Sequence, residues 1–199
     1  MALKCLARAN VCQYSSDIVV TVYTELGSYS LMELFLLGAL SRGGVHSSYE
    51  LQRVLGLEPG GIRPALLRLE RDGLVVRSNE ARRRRRLIKV TEQGQQVLQQ
   101  CWGSIFRSYP DPESVLRAAG LAVLMAVPQV AGDYLSSMAD QYEQKAAPEQ
   151  MRSAVSRSGS PAQCYGSMRA LWQSRKNQAA AGIFREIARD LAELAANQR

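Results

Sequence analysis

The sequence predicts a mainly α-helical chain with one small β-wing, on three observations. Apolar residues recur at helical spacing over residues 31–72 and again over most of the chain after Thr91. Between these stretches, Leu74-Val75-Val76-Arg77 and Leu87-Ile88-Lys89-Val90 read as short strands on either side of a turn. Five consecutive arginines, Arg82 to Arg86, load that turn and the start of the return strand. Three helices, a two-stranded ribbon and a following helix are the parts of a winged helix-turn-helix. The predicted domains are an N-terminal arm or extra helix or strand at 1–30, a winged helix at 31–109 and a C-terminal helical region at 110–199.

Within residues 1–30, Ala2 to Ala9 reads as a helix start and Ile18 to Tyr23 as a β-branched strand, before Gly27-Ser28 breaks the pattern. Leu31, Leu34, Phe35, Leu37 and Gly38 give one broad apolar face and predict a first helix from about Ser30 to Leu40. It stops at Ser41-Arg42-Gly43-Gly44. Ser47 or Ser48 can cap a second helix, which runs through Tyr49, Leu51 and Val54 and ends at Leu55-Gly56. After a proline- and glycine-containing turn, a third helix spans about Gly60 to Asp72, with Ile62, Leu66 and Leu69 facing inward. The wing is a strand at Leu74–Arg77, a loop at Ser78–Ala81 and a return strand at Arg84–Val90. Ile88 and Val90 lie on one side of that strand and Leu87 and Lys89 on the other.

Thr91 caps a helix carrying Val97 and Leu98 that reaches about Tyr109. Pro110-Asp111-Pro112 is a break. A helix then covers Glu113 to Ala126, and Pro128 divides it from another over Gln129 to Lys145. Residues Ala146 to Ala162, rich in proline, serine and glycine, read as a linker. The last helix spans about Tyr165 to Ala196. No internal repeat is present.

A length of 199 residues allows one or two small domains, and 46% apolar residues allow a core. The net charge is +7. Residues 31–100 hold twelve Lys and Arg against seven Asp and Glu, a net of +5, so the excess lies in the winged-helix segment. A clustered basic excess is the footprint of a polyanion binder, with a solvated basic face as the plain alternative. Cys5, Cys12, Cys101 and Cys164 are far apart, no C-x-x-C pair occurs, and His46 is the only histidine. That excludes a compact zinc or iron–sulfur ligand set and predicts no metal and no cofactor. Reduced thiols are the expected state, with a redox-sensing Cys101 or Cys164 as the alternative. No 18-residue apolar run exists, and Lys4, Arg8, Asn10 and Gln13 interrupt any secretory core, so a cytoplasmic protein is expected. No paired catalytic carboxylates, phosphate-cradling loop or nucleophile elbow appears, and His46 sits at a helix start, so no enzymatic activity is expected.

The major groove of B-DNA is about 12 Å wide and admits one helix. The outward face of the third helix would carry Gly61, Arg63, Pro64, Leu67, Arg68 and Arg71. Gly60 and Gly61 allow backbone amides to approach a phosphate at the helix N-terminus. Arg63 is placed for a guanine edge, and Arg68 and Arg71 for phosphates. For the last two the alternative is ordinary solvated charge. Ser48 and Tyr49, at the second helix start, complete this set. Arg82, Arg83, Arg84, Arg85 and Arg86 alternate across the wing, so not all five can meet one DNA backbone. Arginine is favoured in a narrow minor groove; the alternative is an edge strand protected by charge.

At these residues the chain resembles PadR-type transcriptional regulators. The matches are Tyr49-Glu50-Leu51, Gly60, Pro64-Ala65-Leu66, Arg68-Leu69-Glu70, Gly73-Leu74-Val75, Val90-Thr91-Glu92 and Gly94. The family's common threonine, tyrosine and lysine fall at Gly61, Arg63 and Leu67, and its wing aromatics at Leu87 and Ile88. His46-Ser47-Ser48-Tyr49 holds one residue more than the family's His-Gly-Tyr start. The segment from Leu121 to Gln144 is similar to the family's first C-terminal helical region, and the last helix with Trp172 to its second. The resemblance implies a homodimeric repressor of a palindromic double-stranded operator, with half-sites about one helical turn apart. It also implies that the C-terminal helices form the dimer interface and complete a pocket for a small-molecule effector.

Leu121, Leu124, Trp172, Ile183, Ile187, Leu191 and Leu194 are the interface candidates, with intramolecular packing as their alternative. Trp102, Phe106, Tyr134 and Trp172 are the aromatic residues available to line a pocket, Trp172 foremost. Two other readings compete. One is a regulator similar to the MarR family, whose dimerising helix precedes the DNA-binding part and whose wing carries an Asp-Arg-Arg absent here. The other is a winged-helix protein-interaction module without specific DNA reading.

Overall fold

The computed structural model describes residues 29–79, 86–155 and 160–197. The chain divides into two units, Met1–Ser30 and Leu31–Arg199, and the second holds every element named below. The expected helix and strand near the N-terminus, and Arg82 to Arg85, lie outside the described residues, as does the Arg86 side chain.

Helix α1 (Leu31–Arg42) is the hub. Residues Glu33 to Leu40 are all buried, so the helix is enclosed all round rather than amphipathic with one apolar face. It packs against the helices at Pro59–Arg71, Glu92–Cys101 and Pro112–Leu124 and the strand at Arg86–Val90. Helix α2 (Ser48–Leu55) begins where Ser47 Oγ accepts from the Glu50 N–H, and Glu50 returns a carboxylate to the His46 N–H at 2.7 Å. It ends at Gly56 in the left-handed region. The His46 carbonyl accepts from Ile88 N–H at 2.7 Å, which ties this turn to the wing.

Helix α3 (Pro59–Arg71) starts with proline at its first turn and buries Ile62, Ala65, Leu66 and Leu69. Its C-terminus closes as a Schellman motif. Gly73 N–H donates to Glu70 C=O, and Leu74 N–H to Leu69 C=O. Strands β1 (Val75–Asn79) and β2 (Arg86–Val90) pair antiparallel, with Val75 opposite Val90 and Arg77 opposite Ile88. The first strand thus continues through Ser78 and Asn79, expected as loop, because their backbones are paired with Leu87 and Arg86. Helix α4 (Glu92–Cys101) is capped by Thr91, whose hydroxyl accepts from Gly94 N–H and donates to Gly73 C=O. A Cβ on Gly94 would stand 2.2 Å from the Leu74 carbonyl oxygen, so this crossing needs glycine.

The helix after the wing is shorter than the sequence suggests. It passes into a 3-10 turn, Trp102–Ile105, instead of reaching Tyr109. Helix α5 (Pro112–Leu124) follows, capped by Asp111, which accepts from Ser114 N–H at 2.8 Å. It lies on α1 through small residues. A Cβ on Gly38 would come within 2.4 Å of Leu121 Cδ1, and Gly120 faces the Phe35 ring. Ala126, at φ 61°, ends α5 in a conformation usually left to glycine.

Helices α6 (Pro128–Val155) and α7 (Pro161–Asn197) form a long antiparallel hairpin, in which Tyr142 meets Phe184 edge-on and Gln150 meets Gln178. The expected linker at 146–162 is corrected here. Residues Ala146 to Val155 continue α6 straight through Pro148. Proline removes one helical hydrogen bond, and the helix continues past it with the Arg152–Glu149 pair on its surface. Ala146 is buried, and its carbonyl accepts from Ser174 Oγ. Among the described residues no helix is long and apolar enough to cross a membrane.

Candidate nucleic-acid interface

The orientation of α3 follows from what it buries. With Ile62, Ala65, Leu66 and Leu69 inward, Arg63, Pro64, Leu67 and Arg71 face outward. Two ion pairs fasten its flanks. Arg68 Nε lies 3.4 Å from Oε1 of Glu33, a carboxylate on the enclosed helix α1 that is only 3% exposed. Arg77 Nε, on β1, lies 3.1 Å from Glu70 Oε2. Helix α3 is thereby tied on one side to the core helix and on the other to the wing.

These pairs divide the expected contact residues. Arg68 is engaged with Glu33, and with Asp72 at 3.9 Å, so it serves the anchoring of the helix. Arg71 is exposed but lies 3.1 Å from Asp72 Oδ1. Arg63 is exposed, and Pro64 and Gly60 share the open surface. Gly61 is half-buried; an added Cβ would face Met32, and its N–H donates into its own helix at Glu58 C=O. Tyr49 is exposed at the start of α2, and Ser48 beside it is half-buried. Beyond the residues singled out from the sequence, Glu33 and Arg77 matter to this surface. Glu33 carried a signal: a carboxylate inside the run LMELFLLGAL must find a cation if the helix is buried.

The interface candidates in the C-terminal helices also separate. Leu121 is 0% exposed and packs on Gly38; Leu191 is buried and lies beside Gly132 of α6. Both thus pack within the chain, the alternative weighed for them. Leu124 and Ile187 are half-buried. Trp172, Ile183 and Leu194 are exposed on α7, where Tyr165, Met168 and Leu171 extend the apolar surface. Trp102, Phe106 and Tyr134 form one aromatic row. They pack edge-on in series, at 5.9 and 5.2 Å between centroids, and Tyr134 donates to Arg107 C=O. Trp172 instead borders a shallow groove with Pro112, Arg175, Lys176 and Ile183. Burial pushes the Cys101 thiol above its ordinary range, which disfavours the reactive thiolate. Cys5 and Cys12 lie outside the described residues. No group of three or more His, Cys, Asp or Glu side chains suited to a metal occurs among the described residues.

No protein-family model matches the chain, and no curated protein does. Among solved structures, the chain is similar to the crystal structure of Bacillus subtilis PadR in complex with operator DNA. The identity is 20%, over 79% of this chain and 99% of that one, with a TM-score of 0.31. A superposition this loose assigns no role to any residue here.

Proposed function

We propose that the chain is a sequence-specific double-stranded DNA-binding transcriptional regulator, acting in the cytoplasm as a homodimeric repressor. Helix α3 enters the major groove, Arg63 reads a guanine edge, and the arginines from Arg82 to Arg86 meet the backbone or the minor groove. The observation that supports this most is the disposition of α3. Its inner side and flanks are fastened by the core, by Glu33–Arg68 and by Glu70–Arg77, while Arg63 is left on open surface. A base-reading helix needs a fixed rotation with a cation free to project.

The exposed apolar side of α7, with Trp172, Ile183 and Leu194, would meet a second copy and set two α3 helices about one DNA turn apart. The groove beside Trp172 is the place for a small-molecule effector.

The test is a salt series of binding to random-sequence duplex DNA, with the wild type and an Arg83→Ala/Arg84→Ala/Arg85→Ala variant. Tight binding with a steep salt slope is expected, flattened in the variant by roughly 0.9 for each phosphate no longer neutralised. Absence of binding at low salt would overturn the proposal and leave the winged helix as a protein-interaction module.

A further inference from the structure

Leu67 occupies the middle of the exposed face of α3. At about 100° per residue, Arg63 and Arg71 lie roughly 40° to either side of it, and the buried Ile62, Ala65 and Leu69 lie on the far side. Its side chain is half in solvent, at 50% exposure. A single exposed leucine on an ordinary surface needs no explanation. This one stands between Arg63 and Arg71, the latter beside Asp72, on a helix whose rotation is set by its buried face and supported by an ion pair on each flank. No turn of the helix can hide it.

A surface complementary to a cation–apolar–cation stripe is anionic at its edges and carries an apolar spot between. The major groove of DNA is such a surface. Phosphates line it, and the apolar group it offers on a base edge is the C5 methyl of thymine. We infer that Leu67 is a base-reading residue that packs on a thymine methyl, an inference that rests on the DNA-binding reading above. The spacing limits where that thymine can lie. Leu67 is one helical turn from Arg63, about 6 Å along the axis at about 1.5 Å per residue. Base pairs are stacked about 3.4 Å apart, so the thymine lies within about two base pairs of the guanine read by Arg63. Tight packing of leucine on the methyl leaves no hydrogen-bonding group to accept cytosine in its place.

The test begins with selection of preferred duplexes from a random library by the full-length wild type. The selected thymine is then replaced by uracil, which pairs identically and lacks only the methyl. Burial of one methyl-sized group predicts about fourfold weaker binding of the wild type to the uracil duplex. Leu67→Ala, a surface change that leaves both arginines in place, is expected to bind thymine and uracil duplexes equally, and Leu67→Met to keep the discrimination. Equal wild-type affinity for the two duplexes, or discrimination retained by Leu67→Ala, would overturn the inference while leaving DNA reading by Arg63 intact. A wild type that selects no sequence at all would overturn base reading itself, and this inference with it.

Discussion

Arg68 Nε lies 3.4 Å from Glu33 Oε1, so the helix proposed to read DNA is tied to a carboxylate that is itself buried in the central helix. Breaking such a pair by removing one partner is costly, because the buried charge loses part of its compensation. The Arg68 side chain is 41% exposed, which lowers the cost. Arg68→Ala is expected to destabilise the protein by about 2 kcal/mol, below the ~3–5 kcal/mol of a fully buried pair. Urea unfolding measures it. The double replacement Glu33→Leu/Arg68→Met should recover most of the loss.

Two glycines differ in what an added methyl would meet. At Gly94 it strikes the Leu74 backbone oxygen at 2.2 Å, and at Gly38 the tip of the Leu121 side chain at 2.4 Å. A side-chain tip can rotate and a hydrogen-bonded backbone cannot. Gly38→Ala is therefore expected to cost about 1–3 kcal/mol, within the usual range for overpacking, and Gly94→Ala more. Thermal unfolding of the two variants ranks them directly.

Ala126 holds φ 61° at the end of α5. A left-handed residue with a Cβ carries roughly 1–2 kcal/mol of strain, partly offset in glycine by its larger unfolded-state entropy. Ala126→Gly should stabilise the protein by about 0.5–1 kcal/mol, seen as a higher denaturant midpoint with an unchanged slope.

Pro148 interrupts no helix, yet leaves one carbonyl of α6 without its helical donor. Replacement by alanine restores that bond. Pro148→Ala is expected to raise stability by about 1–3 kcal/mol. A loss of stability would show that the ring packs better than the restored bond compensates.

The winged-helix elements were legible because their signals are local. Ser47, Gly56, Pro59, Gly73 and Thr91 are cap and turn residues that act on their immediate neighbours, and the structure uses each of them. The 146–162 segment was not legible. Its prolines, serines and glycines read as a linker, but Ala146–Val155 hold good helix formers and a Glu149–Arg152 pair, and Ser174 of α7 bonds the Ala146 carbonyl. The same distinction applies at the candidate site. The outward position of Arg63 was readable from helical spacing, whereas the engagement of Arg68 depends on Glu33, thirty-five positions before it in the chain. Periodicity also marked Leu121 and Leu191 as apolar without telling which helix they meet.

Base reading by α3 through Arg63 is the centre of the proposed function. The most direct measurement compares the affinity of the wild type and Arg63→Ala for a selected duplex and for random duplex at fixed physiological salt. A wild-type preference of at least about 10³ is expected. For Arg63→Ala the expected loss is about 1–3 kcal/mol, confined to one guanine position, with unfolding unchanged because the side chain is exposed. Equal wild-type affinity for selected and random DNA, or an Arg63→Ala variant with the same preference at every position, would contradict it.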